Sequence, residues 1–163
     1  MRIGVVSDTH IPSRARQLPP VLFDLFYGVD LIMHAGDVVE KRVLVELSAM
    51  APVEAVAGNM DPFDLQVTLR QQKTLTLAGF RIGIIHGHGG NNYLKTPQRA
   101  LNAFVEDAVD CVVFGHSHQP YLAWINGILL FNPGSPTDRR RETRFSCGIL
   151  TLGKTIEAQH LYF

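Results

Sequence analysis

Apolar and polar residues follow one another along the chain in blocks that predict strands and helices in turn. Residues 1–7 form a continuous apolar run after Arg2, which is typical of a strand buried on both faces. The next blocks predict helices at 18–27 and 39–49 and strands at 30–35 and 53–57. Strands that alternate with helices favour a parallel sheet with right-handed crossovers, and binding sites in such sheets lie at the carboxyl ends of the strands.

The second half of the chain has a different pattern, because turn signals there join neighbouring strands directly. Ala78-Gly79, Asn126-Gly127 and Gly153-Lys154 are tight-turn signals between apolar segments. The predicted elements are a helix at 97–107 and strands at 65–69, 73–78, 80–85, 110–114, 121–125, 128–131, 145–152 and 155–162. We therefore expect an α/β fold in which two sheets pack face to face with helices outside, one mainly parallel and one more antiparallel.

Composition narrows the class of protein. The 163 residues, 46% hydrophobic and 18% charged, are enough for a single core-bearing domain over 1–163. The sequence shows neither an apolar run of about 18 residues nor a charged-then-apolar leader, so a cytoplasmic protein without membrane contact is expected. Fifteen basic residues balance fifteen acidic ones, which gives no reason to expect an extended nucleic acid as partner. Cys111 and Cys147 stand alone in apolar segments and are interpreted as buried thiols.

Five short polar motifs each follow directly on a predicted buried strand. They are Asp8-Thr9-His10, Gly36-Asp37, Gly58-Asn59, His86-Gly87-His88 and Gly115-His116-Ser117-His118. If these strands are neighbours, their ends bring two carboxylates, one amide and up to five imidazoles to one rim, a set that suits first-row divalent metals. Asp8 and His10 are two residues apart, so on an extended segment their side chains point the same way, and His116 and His118 repeat that spacing.

Such a ligand set predicts phosphate-ester hydrolysis. Two metals about 3.5–4 Å apart would share a bridging hydroxide poised for in-line attack on phosphorus. Two divalent ions, two aspartates and one hydroxide leave a single formal positive charge, which a phosphodiester monoanion neutralises. Manganese is the expected ion, and iron, nickel, cobalt and zinc also suit these ligands.

The motifs resemble those of the calcineurin-like metallophosphoesterase superfamily, in particular its small single-domain bacterial and archaeal phosphodiesterases, over essentially the whole chain. The family's motifs D-x-H, G-D, G-N-x-D, H-G-H and G-H-x-H correspond in order to Asp8/His10, Asp37, Gly58-Asn59-Met60-Asp61, His86/His88 and His116/His118. The resemblance implies a four-layer α/β/β/α sandwich of two mixed sheets flanked by helices. It also implies that Asp8, His10, Asp37 and His118 hold one metal, and that Asp37 as a bridge, Asn59, His86 and His116 hold the second.

Met60 departs from the larger members of that family, which carry histidine after the Gly-Asn pair. A thioether cannot donate a proton to a leaving alkoxide, so the expected substrate is a small phosphodiester, for instance a cyclic nucleotide. His10, His88 or a water would then supply the proton, and Asp61 is expected to orient a ligand. Asn59, His88 and Asp61 are the predicted catalytic residues within the motifs, and Asn59 and His88 are also predicted to bind substrate.

Two other functions stay open at this point. A phosphomonoesterase would use the same metals, although Met60 argues against it. A non-catalytic scaffold module is the other alternative, because one eukaryotic branch resembling this family, a retromer coat subunit, uses the fold in that way.

Residues outside the five motifs give weaker signals. The arginines at 139, 140, 141 and 144 form a basic cluster whose interspersed acidic residues favour a solvated loop, and Arg139 is its best candidate to bind a substrate phosphate. Residues 132–135 (Asn-Pro-Gly-Ser) indicate a turn whose polar side chains could bond a motif loop, and 89–91 (Gly-Gly-Asn) indicate a mobile loop. His34 and His160 are interpreted as structural histidines. Strand edges in the terminal hairpins make a homodimer possible.

Overall fold

A computed structural model describes residues 1–90 and 93–163, and Asn91, part of the loop predicted to be mobile, lies outside them. The elements in chain order are β1 (Arg2–Val6), α1 (Val21–Leu25), β2 (Leu31–His34), α2 (Lys41–Ser48), β3 (Val53–Ala55), α3 (Phe63–Thr68), β4 (Gln72–Leu77), β5 (Phe80–Ile85), α4 (Thr96–Asn102), β6 (Cys111–Phe114), β7 (Tyr121–Ile125), β8 (Ile128–Asn132), β9 (Ser146–Leu152) and β10 (Ile156–Tyr162).

The strands form two five-stranded sheets, with the orders β10-β9-β1-β2-β3 and β4-β5-β6-β8-β7. In the first sheet β1 pairs in parallel with β2 and β2 with β3, while β9 pairs antiparallel with both β1 and β10. In the second sheet β6 pairs in parallel with β5 and β8, and both edge strands are antiparallel. Both sheets are thus equally mixed. The expectation of one mainly parallel and one more antiparallel sheet was wrong, because the C-terminal hairpin returns to the first sheet and pairs with β1.

Three apolar clusters separate four layers and confirm the predicted α/β/β/α sandwich. The first cluster holds residues of both sheets, including Val5, Ile84 and Val113, so the sheets pack face to face. The second places Leu22 of α1 and Leu47 of α2 against the outer face of the first sheet. The third packs α4 through Ala100 on the second sheet, with Val112 and Leu130.

The prediction of a strand at 65–69 was wrong. Leu65, Val67 and Leu69 alternate with polar residues and match a period of two, but the segment lies in and just after α3. Leu65 is buried and Leu69 is half-buried against the same cluster, whereas Val67 is 69% exposed. Positions i and i+4 therefore face inward, which is the spacing of a helix. Pro62 precedes the first helical residue, and its ring restricts the backbone φ angle at the start of the helix.

The predicted helices exist but are shorter than expected. Prolines 19 and 20 lack backbone donors, and α1 begins after them. The segment after α4 continues in tighter turns, since Phe104 N donates to Leu101 O and Asp107 N to Phe104 O. Cys111 and Cys147 are both free and buried, as predicted. Within residues 1–90 and 93–163, no helix combines the length and apolar character that crossing a bilayer needs.

Candidate metal centre

Five strand ends meet at one rim between the two sheets. β1, β2 and β3 of the first sheet lead to Asp8, Asp37 and Asn59, and β5 and β6 of the second lead to His86 and His116. Backbone bonds join these ends: Asp8 N donates to Gly36 O at 3.0 Å, and Gly115 N donates to His86 O at 3.2 Å. The carboxyl ends of parallel strands thus bring the motifs together as the sequence indicated.

The motif residues do not sit on extended backbone, which corrects the reason given above for their convergence. The backbone φ angles of Asp8, His10 and Asp37 are +55°, +46° and +57°, and those of His116 and His118 are +68° and +57°. Residues other than glycine rarely adopt this left-handed region, so the chain turns sharply after β1, β2 and β6. The turns, rather than a two-residue repeat, direct these side chains toward one point.

The first group of candidate ligands is Asp8, His10 and His118. The Nε2 atoms of His118 and His10 lie 3.4 and 3.7 Å from Asp8 Oδ1. Atoms that bind one ion at about 2.0–2.2 Å lie roughly 3.0–3.6 Å from each other, so these spacings are close to those of a shared ion.

The second group is Asp8, Asp37 and His86. Asp37 Oδ2 lies 3.2 Å from His86 Nε2 and 3.3 Å from His10 Nε2, which places this oxygen between the two groups. Asp8 Oδ1 is 3.8 Å from His86 Nε2. Either aspartate is therefore within reach of ligands from both groups.

Unpaired buried atoms show that these residues fit a cation. Among the described residues, the buried side-chain atoms without a hydrogen-bond partner are Asp8 Oδ1, His10 Nε2, His34 Nδ1, His86 Nε2 and His88 Nδ1. Three of them are the atoms that point into the two groups. A buried polar atom without a hydrogen-bond partner is costly, and divalent ions held by the two groups would satisfy all three.

Two imidazoles are held with Nε2 directed at the cluster. The Nδ1 atom of His86 lies 2.8 Å from Ala35 O, and that of His118 lies 2.6 Å from Asp138 O. A carbonyl accepts only, so Nδ1 carries the proton in both rings and Nε2 is free to bind a metal. These carbonyl partners have no sequence signal, because any residue supplies one.

The other predicted site residues lie around this cluster. The rings of His116 and His88 have centroids 5.2 and 5.3 Å from that of His86. Asn59 follows β3 at the same rim and is exposed. Arg139 lies farther out, in a cavity that it lines together with Ser117 and His118.

A family model for the calcineurin-like phosphoesterase superfamily domain matches residues 1–155. The chain belongs to that superfamily. A probable metallophosphoesterase of Methanothermobacter thermautotrophicus is 41% identical over 138 residues, which cover 84% of this chain and 78% of that protein.

Solved structures share the calcineurin-like fold. A structure described as a novel archaeal phosphodiesterase has a TM-score of 0.77 at 23% identity and covers 100% of both chains. Vps29 from Entamoeba histolytica, complexed with Zn²⁺, has a TM-score of 0.77 at 20% identity and covers 99% of each chain. The calcineurin-like family depends on divalent metals, and the candidate ligand groups of this chain agree with that dependence.

Asp61 ties together two loops of the calcineurin-like site. Its Oδ2 accepts from Gly58 N at 2.7 Å and from Asp37 N at 3.1 Å, and its Oδ1 accepts from Val39 N. These contacts hold the backbone of a candidate ligand, which is the orienting role proposed for it from sequence. Met60 contributes its backbone N, which donates to Asp37 Oδ1 at 2.8 Å.

Residues 132–138 hold the motif loops from outside. Asn132 Nδ2 donates to Gly115 O at 2.8 Å, and Ser135 Oγ donates to Asp8 O at 2.8 Å. Thr137 Oγ1 donates to Thr9 O at 2.6 Å. The turn found in the sequence is thus also a clamp, and the contribution of Thr137 was missed there.

Replacing Ser135 with alanine should loosen this clamp. Ser135 Oγ also accepts from Asp138 N at 2.9 Å, so its loss leaves buried backbone groups unpaired. We expect a cost of about 2 kcal/mol in the free energy of unfolding, or a melting temperature lower by about 4–8 °C. The exposed Ser48, which donates only to Val45 O, is the control, and Ser48→Ala should change stability by less than about 0.5 kcal/mol. Equal effects of the two substitutions in chelator-treated protein would contradict the clamp.

The charges of the cluster fix its protonation. Burial opposes ionisation of Asp8 and Asp37, yet the imidazoles around them outweigh it, so the pKa of each carboxyl is lowered. Burial also opposes the charge on His10, but Asp37 and Asp8 raise its pKa from 6.5 to about 9, and the pKa of His86 is raised for the same reason. Without metal, His10 is therefore protonated at neutral pH.

Metal binding should consequently release protons. The metal-free fold is stabilised by His10 below its unfolded pKa of 6.5, and this stabilisation disappears as the pH rises through about 9. Over the same interval the proton that competes with the metal is lost, so affinity for Mn²⁺ should increase with pH. Calorimetric titration at pH 7.5 in two buffers of different ionisation enthalpy should report release of about one to two protons. Binding that is independent of both pH and buffer would contradict this protonation.

Proposed function

We propose that this chain is a metal-dependent phosphodiesterase with a binuclear metal centre. The observation that carries the proposal is the set of buried atoms Asp8 Oδ1, His10 Nε2 and His86 Nε2, which converge without hydrogen-bond partners at the rim between the sheets. A scaffold protein gains nothing from burying three polar atoms that lack hydrogen-bond partners, whereas a metal centre uses such atoms as ligands. The archaeal phosphodiesterase that shares the fold supports a catalytic role, and the zinc complex of Vps29 supports only the capacity of the fold to hold a metal.

We assign the ligands from the two groups together with the family's motif order, which adds Asn59 and His116 and leaves Asp8 with the first ion only. Asp8, His10, Asp37 and His118 would hold one ion, and Asp37, Asn59, His86 and His116 would hold the other. Asp37 is the proposed bridge because its Oδ2 lies between His10 and His86. Bound divalent ions, for which manganese is our first choice, polarise phosphoryl oxygens and make water acidic.

The chain's own residues favour diesters with good leaving groups. Met60 is 55% exposed and offers no acidic proton beside the centre. The ring of His88 lies 5.3 Å from that of His86, but burial and the charge of His86 lower its pKa, so it is a poor acid at pH 7. We therefore propose that His88 contacts substrate rather than donating the proton. Hydrolysis then joins the water oxygen to phosphorus and breaks one ester bond, and the proton from water ends on a released alcohol or, when a phenolate leaves, in solvent.

The direct test uses two aryl esters and metal-stripped protein. After treatment with chelator, the protein should be inert. Added Mn²⁺ should restore hydrolysis of bis(4-nitrophenyl) phosphate, and kcat/KM for this diester should exceed that for 4-nitrophenyl phosphate. A preference for the monoester would show a phosphomonoesterase. Protein that binds metal but hydrolyses neither ester with manganese, nickel, cobalt or zinc would contradict the proposal, and would favour a scaffold if an Asp37→Ala variant kept a binding partner.

A further inference from the structure

An arginine-rich cavity opens beside the candidate metal centre. It has a volume of about 620 Å³ and is lined by Ser117, His118, Gln119, Arg139, Arg140, Arg141 and Glu142. His118 belongs to both sites, because its Nε2 lies 3.4 Å from Asp8 Oδ1 while the residue forms part of the cavity wall. The cavity and the centre are therefore adjacent, and the cavity has the size of an ordinary small-ligand site.

Part of the charge in this cavity is used to hold the loop. Asp138 Oδ2 pairs with Arg140 Nε at 3.0 Å and with Arg14 Nε at 3.2 Å. Asp138 is also the residue whose carbonyl binds His118 Nδ1. These two arginines therefore fix the loop that positions a candidate ligand.

Arg139 and Arg141 carry two further positive charges, against the one negative charge of Glu142 in the same lining. Across residues 1–90 and 93–163, the ion pairs recorded at this cavity involve Arg14 and Arg140 and not these two side chains. Arg139 Nη1 donates to the main-chain carbonyl of Glu142, which orients the guanidinium without neutralising it. Oriented guanidinium groups match the oxygens of a phosphate and bind it with two parallel hydrogen bonds.

A second cavity, which Gly87 and His88 help to line, does not offer the same chemistry. It has a volume of about 350 Å³, and its arginine is Arg99. The guanidinium of Arg99 donates to Gly87 O, Leu94 O and Thr96 Oγ1, so its donors serve the fold. Uncommitted positive charge lies on the side of His118.

We propose that the arginine-rich cavity binds a second phosphate of the substrate while the first lies at the metal centre. The proposal rests on the phosphodiesterase function proposed above and narrows its substrate class to linear phosphodiesters that carry a further phosphate. A cyclic mononucleotide has one phosphate and cannot fill both sites. Arg139, singled out from sequence as a candidate for a substrate phosphate, binds the outer phosphate together with Arg141.

The test compares two substrates that differ by one phosphate. Thymidine 5′-(4-nitrophenyl phosphate) and its 3′-phosphorylated form both release 4-nitrophenolate when water attacks phosphorus and the aryl ester bond breaks. With Mn²⁺-loaded protein at low salt, kcat/KM should be about ten times higher for the phosphorylated form or more. This ratio should decrease with added salt, because the arginines are exposed. In the double variant Arg139→Ala/Arg141→Ala the ratio should approach one.

Arg144→Ala is the matched control. Arg144 also belongs to the basic cluster, but its Nη2 donates to Tyr162 O, and it does not line the cavity. The control should keep the wild-type ratio. A wild-type ratio near one, or an equal loss in the control and double variants, would overturn the second-phosphate site while leaving the phosphodiesterase standing.

A binding measurement separates the two proposals if no turnover occurs. Thymidine 3′,5′-bisphosphate should bind the metal-loaded protein about tenfold more tightly than thymidine 5′-phosphate, and the double variant should lose this difference. Tight binding without hydrolysis of either ester would contradict the proposed function and support the site. Equal binding of both nucleotides would overturn the site.

Discussion

Substitution of Asp37 by asparagine should lower kcat/KM for bis(4-nitrophenyl) phosphate by about 1,000-fold or more, because the proposed bridge between the two metals loses its charge. Asparagine keeps an oxygen that can accept the bond from Met60 N, so the loop retains this contact. The metal content should decrease at the same time, from two ions per chain to one or fewer. Steady-state kinetics and elemental analysis of the same preparation measure both effects.

Asp24→Asn is the control for that change. Asp24 lies on α1 and is exposed, so the substitution removes the same charge away from the centre. The control should keep two metals and full activity. An Asp37→Asn protein that retains two metals and comparable activity would show that Asp37 is not the bridge.

Substitution of Gly58 by alanine should unfold the candidate site and destabilise the whole protein. A Cβ at position 58 would lie 2.1 Å from Asp37 Oδ1 and 2.4 Å from Asp37 N. The second atom is backbone and cannot rotate away, so the β2 and β3 loops must separate. We expect a loss of about 3 kcal/mol in the free energy of unfolding, which corresponds to about 6–12 °C in the melting temperature of a chain of this size.

The control for that substitution is Gly153→Ala in the turn between β9 and β10. A Cβ there has as its nearest neighbour Thr155 O at 4.0 Å, which is ordinary contact. Melting of chelator-treated protein compares the two variants without any contribution from metal. A Gly58→Ala protein as stable as the control would contradict the close packing of the two loops.

The main elements of the fold could be predicted because the apolar runs of the sequence are buried in the structure. The buried strands β1, β2 and β6 have burial patterns that match their apolar runs. The prediction of a strand at 65–69 was wrong because five residues are too few to distinguish a period of two from one turn of helix. The distribution of strands between the sheets could not be predicted either. β9 pairs with β1 although most of the chain separates them in sequence, and no local sequence pattern indicates that pairing. The homodimer stays a prediction.

The sequence predicted which residues come together at the candidate site, but not how the backbone arranges them. Carboxylates and imidazoles after buried strands were enough to select Asp8, Asp37 and His86. The left-handed backbone of Asp8, Asp37 and His116 was not expected, because only a few per cent of residues other than glycine adopt it. The groups that position the ligands are backbone carbonyls, such as Ala35 O, or hydroxyls from a distant segment, such as Thr137 Oγ1. Only the folded chain brings them to the site.

The measurement that tests the binuclear centre most directly is anomalous diffraction at the manganese edge from crystals grown with Mn²⁺. We expect two peaks about 3.5–4 Å apart, with Asp37 in contact with both. Asp8, His10 and His118 should surround one peak, and Asn59, His86 and His116 the other. A single peak at this rim, no peak, or two peaks of which Asp37 touches only one would contradict the account.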